Sequence, residues 1–245
     1  MITGGKNVYG ATLGILMLNT RFPRIPGDIG NAATWPFPVQ YRIVPSASPD
    51  VVVRKNPDPL LQSFIEAGRD LIRAGCDGIS TNCGFLVSFQ SKLKAALDVP
   101  IATSSLLQGR SIQQTLPPGR TIGILTISAA SLTQQHLDAA GIPEGTPVVG
   151  TGAVSHFTTQ ILENQPEIDF AKARSENVAA ARQLVSSHPD VGAILLECTN
   201  MVPYAADIRR ATGRPVYSIY TYLLWFQSAL LPRRFPDEFD DFKED

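Results

Sequence analysis

The chain has 245 residues, of which 44% are hydrophobic and 18% are charged, and its formal net charge is −1. These values are typical of a globular protein with a substantial core, and they argue against nucleic acid or a membrane surface as a partner. Three cysteines do not indicate a disulfide framework, so reduced thiols are expected. Because no apolar run has the length of a membrane span or a signal peptide, we expect a cytoplasmic protein.

Strands and helices are predicted to alternate along the first half of the chain. The apolar run 11–18 indicates a buried parallel strand, and a loop rich in Pro and Gly follows it over 22–38. Further strands are expected at 40–44, 78–81 and 101–103, with helices at 60–74, 86–96 and 106–115. Gly75 follows the first of these helices as a stop signal.

The same alternation restarts after Pro117-Pro118-Gly119, which breaks the pattern. Strands are expected at 121–126, 147–149, 193–197 and 216–219, and helices at 129–140, 155–163, 168–187, 202–212 and 220–231. Strands that alternate with helices predict an α/β protein with parallel sheets and right-handed crossovers.

The two halves correspond in position more than in sequence. The opening strands, at Gly14 and Gly123, are 109 residues apart (123 − 14), and Cys83 and Cys198 are 115 residues apart (198 − 83). Ligands of open α/β sheets bind at the carboxyl ends of the strands, so two facing lobes are expected to bring both thiols to one cleft.

Cys83 and Cys198 each follow a predicted strand and precede a predicted helix. A helix N-terminus favours the thiolate, and a thiolate and a thiol on opposite faces of one substrate can exchange a proton with it. The alternative is that both are small buried side chains at strand ends, which is common for free cysteine. Core packing is the expectation for Cys76. The histidine spacing predicts no metal site.

The segments Asn82-Cys83-Gly84 and Glu197-Cys198-Thr199-Asn200 resemble those of the aspartate/glutamate racemase superfamily. That group includes aspartate, glutamate and hydantoin racemases, maleate isomerase and arylmalonate decarboxylase. The resemblance implies two similar lobes, each a parallel sheet flanked by helices, related by a pseudo-twofold axis with the active site in the cleft. By this analogy the first lobe is 1–116 plus 215–245 and the second is 117–214. It also implies catalysis without a cofactor, and a homo-oligomer, specifically a dimer.

Candidate substrate-binding residues flank the two cysteines or end the opening strands. Backbone N–H groups after each cysteine are suitable donors to a carboxylate, and Arg21 is a candidate for gripping one, although a solvated loop arginine fits its position equally well. The full set is Asn19, Arg21, Asn82, Gly84, Phe85, Thr126, Ser128, Thr199 and Asn200.

The leading functional prediction is a cofactor-independent racemase, epimerase or isomerase that transfers a proton next to a carboxylate or carbonyl of a small acid. Cys83 is followed by Gly84-Phe85 rather than by the Asn-Thr common in amino-acid racemases, so the substrate is not predicted. One alternative is an enzyme centred on Cys198 that resembles maleate isomerase or the decarboxylase, which uses a single cysteine in the second lobe. Another is a non-catalytic protein that binds a small carboxylate.

Overall fold

The protein is described by a computed structural model that covers Met1 and residues 3–235. In this part of the chain, eight strands form two parallel four-stranded sheets. The first sheet has the order β2-β1-β3-β4, with strands β1 (Leu13–Leu18), β2 (Val39–Val44), β3 (Gly78–Thr81) and β4 (Ile101–Ala102). The second has the order β6-β5-β7-β8, with strands β5 (Thr121–Thr126), β6 (Val148–Gly150), β7 (Val191–Leu196) and β8 (Val216–Tyr217).

Helices connect the strands in both halves. They are α1 (Pro49–Arg54), α2 (Leu61–Ala74), α3 (Gln90–Ala96), α4 (Gly109–Thr115), α5 (Gln134–Ala139), α6 (His156–Leu162), α7 (Phe170–Ser187), α8 (Ala205–Thr212) and α9 (Ile219–Leu230). The two sheets share one strand order and are flanked by helices, so the predicted α/β class with two similar lobes is confirmed.

The central strands are apolar because both of their faces are covered. Every residue of β1 is buried, as are the last five residues of β5, which is the pattern of a parallel strand between two helical layers. One hydrophobic core extends through both halves and includes Leu16 and Ile79 of the first sheet together with Ile124 and Leu195 of the second. This shared core fixes the position of one sheet relative to the other.

The C-terminal elements divide differently from the expectation. Strand β8 pairs with β7 in the second sheet, with Ile194 opposite Val216, so the prediction that this strand returns to the first lobe is wrong. Helix α9 does reach the first sheet, since Ile219 and Leu223 share a core cluster with Leu13 of β1. Residues 236–245 of the predicted first lobe lie outside the described residues. The remaining lobe boundaries stay a prediction.

One helix was missed and one was misplaced at its start. Helix α1 was not predicted, although Ser48 caps it by accepting from the N–H of Val51 and Pro49 occupies its first turn. Helix α5 begins after Thr133, whose capping box with His136 sets its first residue. Among the described residues, no helix has both the length and the apolar character that a membrane crossing requires.

Candidate active site

Both cysteines occupy the same place in their sheets. Cys83 lies two residues beyond the end of β3 and Cys198 two residues beyond the end of β7, at the carboxyl ends of central strands. A 3₁₀ helix begins directly after each cysteine, over Gly84–Phe89 and Thr199–Tyr204, ahead of α3 and α8. The two cysteines thus occupy equivalent positions in their sheets, as the chain spacing predicts. The segments that follow them begin as 3₁₀ helices and not as the α-helices predicted from residues 86 and 202.

The two cysteines line one narrow pocket that is partly open to solvent. Its other polar wall residues are Thr20, Arg24, Asn82, Glu197, Thr199 and Asn200. Apolar side chains form much of the remainder, and they include Phe22, Pro49, Val53, Ile127, Ile161 and Leu162. The cavity thus has charged and amide groups together with a broad apolar surface, and it draws residues from both halves of the chain.

The two motifs are joined across the cleft by a buried hydrogen bond. The Thr199 hydroxyl donates to the backbone oxygen of Asn82 over 2.7 Å, and the Asn82 side chain accepts from the N–H of Leu18 over 2.8 Å. Asn82 and Thr199 are 3% and 1% exposed. Both residues line the cavity, and their hydrogen bonds fix the position of one cysteine motif relative to the other.

Arg24 is a cavity residue that the sequence did not single out. Its side chain, which is 12% exposed, forms an ion pair with Asp28 at 2.6 Å and donates to the Thr20 hydroxyl at 2.9 Å. The guanidinium also lies 4.6 Å from the centroid of the Phe22 ring. A partly buried, pre-oriented guanidinium is suited to bind a carboxylate in two-point fashion.

The loop over 22–38 carries Arg24 into the cleft because it is fixed to the second motif. The Asn200 side chain donates to Asp28 over 2.6 Å. Gly27, which has a φ of 102°, brings the loop backbone against Pro203, where a Cβ would lie 3.0 Å from the Pro203 Cα. The unusual length of this loop was visible in the sequence, but its path was not.

Glu197 is the second site residue that the sequence did not propose as functional. Its side chain is 0% exposed, and one carboxyl oxygen, Oε2, accepts from the Thr126 hydroxyl over 2.7 Å. The other, Oε1, has no hydrogen-bond partner. Burial raises the pKa of this carboxyl to about 7, against the opposing effect of the Thr126 hydrogen bond.

The thiols do not have the low pKa expected at a helix N-terminus. Burial, and then the charge of Glu197, raise the pKa of Cys83 to about 12, although the N–H groups of Phe85 and Leu86 favour the thiolate. The same two causes raise the pKa of Cys198 well above its usual value, against the N–H of Asn200. Both shifts favour the protonated thiol in the free protein.

The other predicted site residues lie around this cavity in different ways. Gly84 and Phe85 are in its wall. Thr126 and Ser128 are not, although Thr126 reaches the site through its bond to Glu197; the Ser128 hydroxyl donates to Ser131. Asn19 and Arg21 are exposed outside the cavity, and the N–H of Arg21 donates to the Asn164 side chain at 2.6 Å. Cys76 is buried in the core, as predicted.

No cluster of three or more histidine, cysteine, aspartate or glutamate side chains suited to a metal occurs among residues 1 and 3–235. The polar wall of the cavity instead offers one guanidinium, one carboxyl, two thiols and several amide and hydroxyl groups. This set is suited to binding an anion and moving protons.

No family model matches the chain. Among curated proteins, a dimethylsulfoniopropionate lyase from Durusdinium sp. clade D is 29% identical over 219 residues, which are 86% of this chain and 72% of that protein. Dimethylsulfoniopropionate lyase 7 from Emiliania huxleyi is 28% identical over 229 residues, or 90% of this chain and 67% of that one.

Solved structures with the same architecture include three enzymes. Allantoin racemase from Pseudomonas fluorescens superposes with a TM-score of 0.58 at 17% identity, covering 89% of this chain and 90% of its own. Glutamate racemase from Campylobacter jejuni gives 0.56 at 14% identity, with 92% and 88% covered. Unliganded arylmalonate decarboxylase gives 0.54 at 15% identity, with 90% and 92% covered. The resemblance expected from the cysteine motifs is thus confirmed for the fold.

Proposed function

We propose, from a fold shared with aspartate/glutamate racemases, that this protein is an enzyme that removes the proton next to the carboxylate of a small acid. Cys83 and Cys198 are its candidate bases, and the reaction is a β-elimination of the kind named for its curated relatives, in which one thiolate takes the proton. The observation that carries the proposal is the position of both thiols in the wall of one cavity that also holds the partly buried Arg24.

The reaction begins with a bound carboxylate. Arg24 is already oriented by Asp28 and Thr20, so it pairs with the substrate carboxylate without a large entropy cost. Pairing also draws electron density from the adjacent carbon, where negative charge develops as the proton leaves. Placing the thiols at the carboxyl ends of β3 and β7 brings a base to that carbon from either side.

The elimination needs no cofactor, because the electrons of the broken C–H bond displace the sulfur. A thiolate takes the α-proton of dimethylsulfoniopropionate, and the electrons of that C–H bond form the carbon–carbon double bond. The bond from the β-carbon to sulfur breaks with its electron pair remaining on sulfur. The products are acrylate, neutral dimethyl sulfide and a cysteine that has become a thiol.

Three observations favour a substrate of this type. The relatives named as dimethylsulfoniopropionate lyases match 86% and 90% of this chain. The apolar wall formed by residues such as Phe22, Val53 and Ile161 is suited to methyl groups. A cationic sulfur near the thiols also stabilises a thiolate, which the free site disfavours.

A second candidate is racemisation or epimerisation, which the pair of thiols favours. If the substrate has no leaving group on the β-carbon, the second cysteine returns a proton to the opposite face and inverts the α-carbon. The first step is the same in both reactions, so the residues and their roles are shared.

The test follows proton exchange and elimination together. The protein is incubated in deuterated water with dimethylsulfoniopropionate and with a panel of chiral carboxylates, and NMR follows acrylate, dimethyl sulfide and α-deuterium. Cys83→Ser and Cys198→Ser are compared with Cys76→Ala, a matched control because Cys76 lies in the core.

We expect the serine variant of the base to lose more than about a hundredfold in lyase rate, and both serine variants to lose inversion, with the control active. Exchange with inversion in the panel, and no acrylate, would assign the second candidate. Lyase activity that survives in only one serine variant identifies the other cysteine as the base, and lyase activity that survives in both contradicts the role of the thiols. Ligand-induced stabilisation without any turnover would identify a carboxylate-binding protein.

A further inference from the structure

Glu197 is the one buried acid of the cavity wall that the proposed reaction leaves without a role. We propose that Glu197 is a positioning residue that shares a single negative charge with Cys83 and Cys198, so that a thiolate forms as the carboxylate takes up a proton. This inference rests on the proposed function for its catalytic meaning, but it also predicts a property of the free protein.

The geometry shows a carboxyl group confined between the two motifs. Oε2 is bonded to Thr126, and Oε1 lies against the Cα of Gly84, the residue after Cys83, with no donor of its own. Glu197 also directly precedes Cys198 in the chain. An unpaired carboxylate oxygen is costly in a buried place, and a proton removes much of that cost.

Few other charged groups face this cluster. Arg24 and Asp28 are paired with each other at 2.6 Å, and their charges act on Cys83 and Cys198 respectively. Tyr204, on the 3₁₀ helix after Cys198, has a pKa raised to about 12, so it stays neutral. Thr126 and Ser105 contribute hydroxyls without charge, Ser105 by donating to the Leu196 backbone oxygen. The ionisation of Cys83, Glu197 and Cys198 therefore depends mainly on the interactions among these three groups.

The order of ionisation explains how the cluster works. The Glu197 carboxyl, with a pKa of about 7, loses its proton first, and its charge then opposes ionisation of either thiol. When a cationic substrate binds near sulfur, a thiol gives up its proton to solvent and Glu197 takes one up, so the charge moves to the thiolate. Glu197 Oε1 has no hydrogen-bond partner and the Cys198 thiol donates to Asn200 at 3.7 Å, so the groups are coupled through their charges and not through a direct bond. The net charge of the site does not change, so no second buried anion is created.

Glu197→Gln tests the proposal because glutamine has the shape of a protonated glutamate. In this variant the carboxylate no longer opposes the thiols, so thiolate ultraviolet absorbance in the free protein should appear at a pH lower by about one unit or more. The acid limb of the pH profile of kcat/KM should move the opposite way, to higher pH. In the wild type Glu197 ionises first, whereas in Glu197→Gln the first proton has to leave a buried thiol. A purely structural role predicts no such pair of opposite shifts.

Two further sets of variants keep the test decisive. Cys83→Ser and Cys198→Ser, each combined with Glu197→Gln, show which cysteine gives the thiolate absorbance. Cys76 contributes equally to the wild type and to Glu197→Gln. Thr126→Val keeps Glu197 but removes the hydrogen bond that lowers its pKa, so the acid limb of the kcat/KM profile should move to higher pH. In the Glu197→Gln background, Thr126→Val should not move it. An unmoved acid limb, or a thiolate titration that stays in place or moves up, overturns the proposal. If the wild type has no lyase or exchange activity, the proposed function fails, and the thiolate titration still decides this inference.

Discussion

The carboxyl group of Glu197 lies against the Cα of Gly84, which belongs to the cysteine motif of the other sheet. A Cβ at position 84 would overlap both Oε1 and the backbone oxygen of Glu197. The glycine after Cys83, which departs from the amino-acid racemase pattern, is therefore explained by the glutamate before Cys198. Residues of two separate motifs thus form one packing arrangement.

Gly84→Ala should destabilise the protein by about 1–3 kcal/mol, because the added methyl group has no room. Urea unfolding measures the effect, and a cycle with Glu197→Ala separates its causes. The double variant should cost less than the sum of the single variants, since the shorter side chain removes part of the overlap. Strict additivity would show that the two positions are not coupled.

The stability of the wild type should fall relative to Glu197→Gln as the pH rises from about 4.5 to above 7. The folded-state pKa of about 7 lies above the usual 4.5, so the favourable contribution of the protonated group is complete below 4.5 and is lost through 7. The difference corresponds to about 3 kcal/mol for this fully buried group. Denaturant unfolding across this range tests it, and parallel curves for the two proteins would contradict it.

Arg24→Lys should raise KM for the carboxylate substrate by about 10- to 100-fold, because a lysine cannot reproduce the two-point contact. Arg21→Lys is the matched control, since Arg21 is exposed outside the cavity. Steady-state kinetics on both variants, with thermal unfolding to confirm that each is folded, provide the comparison. Equal effects of the two substitutions would remove Arg24 from carboxylate binding.

A sulfonium ligand should bind more tightly as Glu197 ionises. Dimethylsulfonioacetate has no β-carbon and cannot eliminate, and isovalerate is its carbon isostere without the positive charge. Calorimetry at about pH 6 and about pH 9 should show rising affinity for the sulfonium and no rise for isovalerate, and Glu197→Gln should abolish this dependence. The same pH response for both ligands would mean that the site does not sense the cation.

The sequence predicted the fold well because its signals are local. β1 and β5 are apolar along nearly their whole length, and the helices between strands carry ordinary stop signals such as Gly75. The matching offsets of Cys83 and Cys198 then predicted one shared cleft. These features depend on chain spacing, which a single sequence displays directly.

The missed site residues depend on contacts that are distant in the chain. Arg24 enters the cleft because Asp28 is fixed by Asn200, 172 residues away. Glu197 was visible in the motif but read as the end of a strand, since its effect comes from burial against Gly84 and Thr126. The thiol pKa was predicted in the wrong direction for the same reason, because burial outweighs the helix terminus.

The matching order of the two sheets has a stereochemical consequence. Each sheet presents its own cysteine, but the neighbours differ, with Gly84 beside one and Thr199 beside the other. In the proposed reaction the methylene carbon between the thiols has no handedness, yet its two hydrogens face chemically distinct sulfurs. Loss of hydrogen should therefore be selective between the pro-R and pro-S positions, and stereospecifically deuterated substrate would reveal which half of the molecule acts as the base.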